Sequence, residues 1–116
     1  MRNLEQIRAK HALDFINEEK NVITGSEGGN ILSKLPTMIV ADGLLATAAF
    51  AKAKGKDSGY EKTIDNIFAH LRSQAIAAGI DDLAGKGALE LQRATAEALA
   101  YANYIKRFGK AKRKED

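Results

Sequence analysis

The chain has 116 residues, of which 45% are hydrophobic, with no cysteine, no tryptophan and a single proline. That length is typical of one domain with a modest core, and the composition excludes wholesale disorder, disulfides and thiolate metal sites. The net charge is +3, but residues 106–116 carry +4 and residues 1–105 carry −1. No apolar run is long enough to span a membrane and the charged N-terminus lacks a signal-peptide core, so we expect a soluble, cytoplasmic protein.

The N-terminal segment predicts an amphipathic helix over residues 3–22. Apolar residues recur there at helical spacing, and Asn3 is placed to cap the first turn. The following TGSEGGN, residues 24–30, predicts a flexible connection, because three glycines among polar residues disfavour a helix. The many alanines favour helix throughout the chain, and the first predicted helix is separated from the next by this connection.

The middle of the chain predicts two helices. The first begins near Asn30 and meets Pro36, where we expect a kink or a fresh start because proline lacks a backbone donor. Asp42-Gly43 marks a turn or second break, after which an alanine-rich helix is expected over residues 44–54.

A further helix is predicted between Ser58 and Gly79. Ser58 and Glu61 have the spacing of a capping box, and an apolar face follows them at helical intervals. Residues 80–87 predict one short helical turn and a loop. Together with a last helix near the C-terminus, these elements predict an all-α, compact single-domain bundle of about five or six helices.

The sequence shows no catalytic constellation, and it predicts neither a metal site nor a cofactor. His11 lies in the apolar stripe of the first helix and is expected to pack at the boundary of the core. His70 is expected at an exposed helix surface. Asp81 and Asp82 are expected to offset the dipole of their short helical turn rather than to bind a cation.

The last helix is predicted over residues 88–108, with a core side and an exposed side. One side clusters five residues: Leu91, Ala94, Ala98, Ala102 and Ile105. The other side clusters Arg93, Glu97, Ala100, Tyr104 and Arg107, with a cation near each end. Glu97 is spaced to pair with Arg93. We therefore divide the chain into a helical domain over 1–108 and a basic, flexible tail over 109–116. The basic residues near the end of the helix could equally complement the helix dipole instead of contacting a nucleic acid.

Three segments resemble a known family across most of the chain. They are LEQIRAKHAL, KLPTMIVADGLLATAAFAKAKG and RATAEALAYANYIKRFGKA, in this order. They are similar to the small helical subunit of type III-B CRISPR effector complexes, the Cmr small-subunit family. The resemblance implies a non-catalytic, all-helical protein of antiviral defence. It implies partners among the other subunits, especially the backbone subunit, further copies of the chain itself, and guide RNA and target RNA.

The resemblance and the charge pattern together yield a set of candidate RNA-binding residues. They are Arg8, Lys10, Lys34, Lys52, Arg93, Lys106, Arg107 and Lys110. Such residues would contact phosphates without reading base sequence. The alternative hypothesis is a pure protein-protein interaction module, in which the basic residues serve solubility. An enzyme is disfavoured because no nucleophile-base pair or metal spacing is present.

Overall fold

The computed structural model describes residues 3–20, 28–55 and 58–115, and its regular elements are helices throughout these ranges. Six α-helices have bounds within them: α1 Leu4–Glu18, α2 Gly28–Asp42, α3 Leu44–Ala53, α4 Gly59–Ser73, α5 Ile80–Ala84 and α6 Ala88–Glu115. No strand occurs among the described residues. The predicted all-α architecture is confirmed.

Helix α1 begins as the sequence predicts and ends earlier. The Asn3 side chain accepts from the Gln6 backbone N–H at 2.9 Å, and the Gln6 side chain accepts from the Asn3 backbone at 3.0 Å, so a complete capping box fixes the start. The helix ends at Glu18 rather than Val22. Most of the predicted 24–30 connection lies outside the described residues, but its last three residues already belong to α2.

Helix α2 runs without interruption through Pro36, so the predicted fresh start is not seen. Pro36 is buried among the apolar residues that α2 presents to the rest of the bundle. The break predicted at Gly43 is confirmed. Its φ of 91° lies in the left-handed region that favours glycine, and the next helix, α3, begins at the following residue.

Helix α4 begins under a cap from Ser58, whose hydroxyl accepts from the Glu61 backbone N–H at 3.1 Å. The helix ends at Ser73, before the predicted stop at Gly79. The short turn predicted in 80–87 is α5. There Asp82 accepts from the Ala78 backbone N–H at 2.9 Å, a bond that lowers the pKa of Asp82, which supports its structural interpretation.

Helix α6 is the central element, because α1, α2 and α4 all pack against it. Its core side is as predicted at Ala94, Ala98, Ala102 and Ile105, which are all buried. The predicted end at Phe108 is too early, since the helix continues to Glu115. The division between a domain over 1–108 and a tail over 109–116 stays a prediction.

Candidate nucleic-acid interface

The candidate cations fall into two groups, according to whether a described residue binds them. Arg8, Lys10 and Lys52 form ion pairs, and Lys34 lies over an aromatic ring. Arg93, Lys106, Arg107 and Lys110 have no such partner among residues 3–20, 31–55 and 58–113, whose side chains the structure describes. All members of the second group lie on α6.

Arg8 of α1 is bound to Glu97 of α6 through two nitrogens. Its Nε donates to Glu97 Oε2 at 2.8 Å and its Nη2 donates to Oε1 at 2.6 Å. The hydrogen bond to Glu97 raises the pKa of Arg8. Burial alone would raise the pKa of Glu97, but the bonds from Arg8 and His70 outweigh it and lower that pKa. This two-bond pairing fixes the register between α1 and α6.

His70 of α4 completes the arrangement from a third helix. Its Nε2 donates to Glu97 Oε2 at 2.8 Å, and its Nδ1 shares a hydrogen bond of 2.7 Å with His11 Nδ1. Burial lowers the pKa of His70, despite the bond to Glu97. We call Arg8, His11, His70 and Glu97 the Glu97 cluster; it joins α1, α4 and α6.

The Glu97 cluster corrects two expectations from the sequence. His70, expected at an exposed surface, is 2% exposed, and Glu97, assigned to the exposed side of the last helix, is 7% exposed. Glu97 therefore pairs with Arg8 and His70 rather than with Arg93. His11 is half-buried, as expected of a residue at the boundary of the core.

Tyr101 extends the polar interior beside the Glu97 cluster. Its ring stacks on His70, with centroids 4.1 Å apart and planes 10° from parallel. Its hydroxyl donates to the Asn66 side chain, and burial raises the pKa of that hydroxyl. A fully buried tyrosine thus finds a polar partner for its hydroxyl.

The remaining paired candidates lie at the surface. Lys10 donates to Asp14 at 2.9 Å within α1. Lys52 of α3 binds two carboxylates of α4, that of Glu61 at 3.3 Å and that of Asp65, and the bond to Asp65 is the main cause that raises the pKa of Lys52. These cations are engaged within the molecule.

Lys34 is engaged by an aromatic ring rather than by an acid. Its Nζ lies 4.9 Å from the centroid of the Phe50 ring, within the range of a cation–π contact. Lys54 lies 5.0 Å from the same centroid, so two ammonium groups share one ring. This part of the predicted central motif brings α2 and α3 together.

The unpaired group lies on α6, with Arg93 near the start of the helix and Lys106, Arg107 and Lys110 together near its end. Arg93, Arg107 and Lys110 are exposed, and Lys106 is half-buried. At a rise of about 1.5 Å per residue, Arg93 and Lys110 are roughly 25 Å apart along the helix axis. We call Arg93, Lys106, Arg107 and Lys110 the α6 cations. They are the candidate cations whose charged groups no described residue binds.

Sequence reasoning missed the Glu97 cluster because its members come from distant segments. A local signal was nevertheless present. Glu97 lies three residues after Ala94 and four before Tyr101, both fully buried, so its helical position borders the core. His70 likewise follows the buried Ile67 by three residues. A charge on that border predicts a buried partner.

The described residues contain no group of three or more His, Asp or Glu placed to hold a metal ion. Within the same ranges, no helix combines the length and the apolar character that crossing a bilayer requires.

Comparison with known proteins assigns the family. The family model described as CRISPR-associated protein (Cas_Cmr5) matches residues 4–112. The chain belongs to this family, and the resemblance to a small subunit of the type III-B, or Cmr, CRISPR complex is confirmed. Other subunits of that complex are accordingly its partners. No curated protein and no solved structure is significantly similar to the chain.

Proposed function

We propose that this Cmr subunit is a non-catalytic RNA-binding protein that lines the channel along guide RNA and target RNA. The observation that carries the proposal is that the α6 cations have no partner among the described residues. A strand laid along α6 meets Arg93 near one end and Lys110 near the other. Contacts of this kind neutralise phosphates and do not depend on base sequence.

The rest of the molecule supports this role by holding α6 in place. The Glu97 cluster fixes α6 to α1 and α4, and a helix held on a rigid scaffold keeps its cations at constant spacing. Catalysis is left to other subunits, and the backbone subunit and further copies of this chain are the proposed neighbours along the RNA. The proposed location is the cytoplasm, and no cofactor takes part.

The test neutralises the α6 cations and compares them with the cations that are already engaged. One variant carries Arg93→Gln, Lys106→Gln and Arg107→Gln; the matched control carries Lys10→Gln, Lys34→Gln and Lys52→Gln. Both lose the same formal charge. Labelled single-stranded RNA is titrated at two salt concentrations, with the free chain and with the reconstituted complex.

We expect the first triple variant to lose at least tenfold in affinity at low salt and to show a shallower salt dependence than the wild type. The control should lose about twofold, through net charge alone. Equal losses of RNA affinity in the two variants would show that the α6 cations are not the contact surface. Affinity that does not change with salt would contradict phosphate-led binding altogether.

A pure protein-interaction module remains the second candidate, and two exposed apolar side chains favour it. Leu89 is 77% exposed and Val40 is 70% exposed. The substitutions Leu89→Ser and Val40→Ser test this candidate, and the measurement is assembly of the reconstituted complex. The second candidate gains if these variants abolish assembly while the neutralised α6 cations leave RNA affinity unchanged.

A further inference from the structure

A groove of about 280 Å³ lies where α1, the end of α4 and α6 meet. Two arginines, a carboxamide and three apolar side chains take part in its lining, together with the buried Glu97. The lining residues are Leu4, Arg8, Gln74, Ile76, Arg93, Ala96 and Glu97. Arg8 and Arg93 thus face one space from two different helices.

Arg8 enters this groove as a positioned donor. Its Nε–H and one N–H of Nη2 donate hydrogen bonds to Glu97, and its side chain is still 22% exposed. The other N–H groups of the guanidinium have no acceptor among the described residues. A guanidinium held by two bonds keeps its remaining donors aimed in one direction.

The carboxylate of Glu97 does not cancel the positive character of the groove. Both of its oxygens accept hydrogen bonds within the wall, from Arg8 and His70, and its side chain is 8% exposed. Arg93 contributes a second guanidinium that no described residue binds. With both arginines charged and only one acid, the lining has a net positive charge.

The geometry points to a seat for a single phosphate group of an RNA strand, with Arg8 as the fixed donor and Arg93 as the adjustable one. This deepens the proposed function and rests on it: the α6 cations attract the strand, and the groove fixes one phosphate in register. The apolar wall of Leu4 and Ile76 suits the sugar next to that phosphate. Two guanidinium groups on one phosphate give stronger contacts than scattered surface lysines.

Two matched pairs of variants test the seat. Arg93→Gln and Arg107→Gln each remove one charge from the same helix, but only Arg93 lines the groove. Ala96→Glu and Gln92→Glu each add one acid at an exposed position of α6, but only Ala96 lines the groove. All four positions are exposed, so folding should be retained, which circular dichroism checks. The probe is labelled decauridylate, titrated at low salt.

We expect each groove variant to lose about tenfold in affinity and each matched control about twofold. In the wild type, the Nε–H signals of Arg8 and Arg93 should shift on addition of decauridylate. Equal losses within both pairs would overturn the seat and leave RNA binding by the α6 cations intact. If the RNA affinity of the wild type did not depend on salt, both the proposed function and the phosphate seat would be wrong.

Discussion

Arg8 and Arg93 line the same groove, yet they are in opposite situations. Arg8 is bound by Glu97 and held by a network that reaches His70 and His11, whereas Arg93 has no partner among the described residues. The side chains are chemically identical, so the difference comes from what the neighbouring helix supplies. An arginine that the fold has bound to an acid offers a partner only its remaining, fixed N–H donors, whereas an unbound arginine offers all of them.

The largest effect is expected at Glu97. Glu97→Gln removes the negative charge and replaces one of the two acceptor oxygens with a donor NH2, which leaves donors of Arg8 and His70 partly unpaired in the interior. We expect a loss of about 3 kcal/mol in the free energy of unfolding, measured by urea denaturation. Glu90→Gln, at an exposed position of the same helix, should cost less than about 0.5 kcal/mol. Similar costs at the two positions would show that the Glu97 cluster does not stabilise the fold.

Acidification should weaken the Glu97 cluster before other parts of the molecule. The lowered pKa of His70 means that the unfolded chain takes up that proton first, so stability falls as pH drops below about 6.5. The lowered pKa of Glu97 adds a second loss at more acidic pH, once its carboxylate is protonated. Urea midpoints at pH 7.5, 6.5 and 5.5 measure the first loss. His70→Gln should flatten this profile, and an unchanged slope would contradict the assignment.

Tyr101→Phe should have a smaller effect. It deletes the hydroxyl that donates to Asn66 while keeping the ring stacked on His70. We expect a loss of about 1 kcal/mol in unfolding free energy, because the Asn66 oxygen is left without this donor. Tyr104→Phe is the matched control, since its hydroxyl makes no hydrogen bond in the described part of the chain. If both variants cost the same, the bond to Asn66 contributes nothing measurable.

Local chemistry made much of the fold predictable from sequence. The Asn3 cap, the Ser58 cap and the break at Gly43 follow from side chains and backbone freedom within a few residues, and all are present. The core side of α6 follows from helical periodicity at Ala94 and Ala98. These features need no knowledge of which helices are neighbours.

Other features were not predictable in this way. Pro36 is accommodated inside an unbroken α2, and α6 continues past Gly109 to Glu115. Which cations stay available is a tertiary property. Arg8 is separated from Glu97 by most of the chain, so no window of the sequence reveals that they pair.

The smallest effects separate Lys52 from Lys110, an engaged and an unengaged cation. Lys52→Gln removes bonds to Glu61 and Asp65 at the surface, so we expect a loss of about 0.5 kcal/mol in unfolding free energy and little change in RNA affinity. Lys110→Gln should leave stability unchanged and weaken RNA binding about twofold at low salt. Urea denaturation and titration of labelled RNA measure the two responses on the same preparations. If Lys52→Gln weakened RNA binding as much as Lys110→Gln, pairing within the fold would not decide which cations reach RNA.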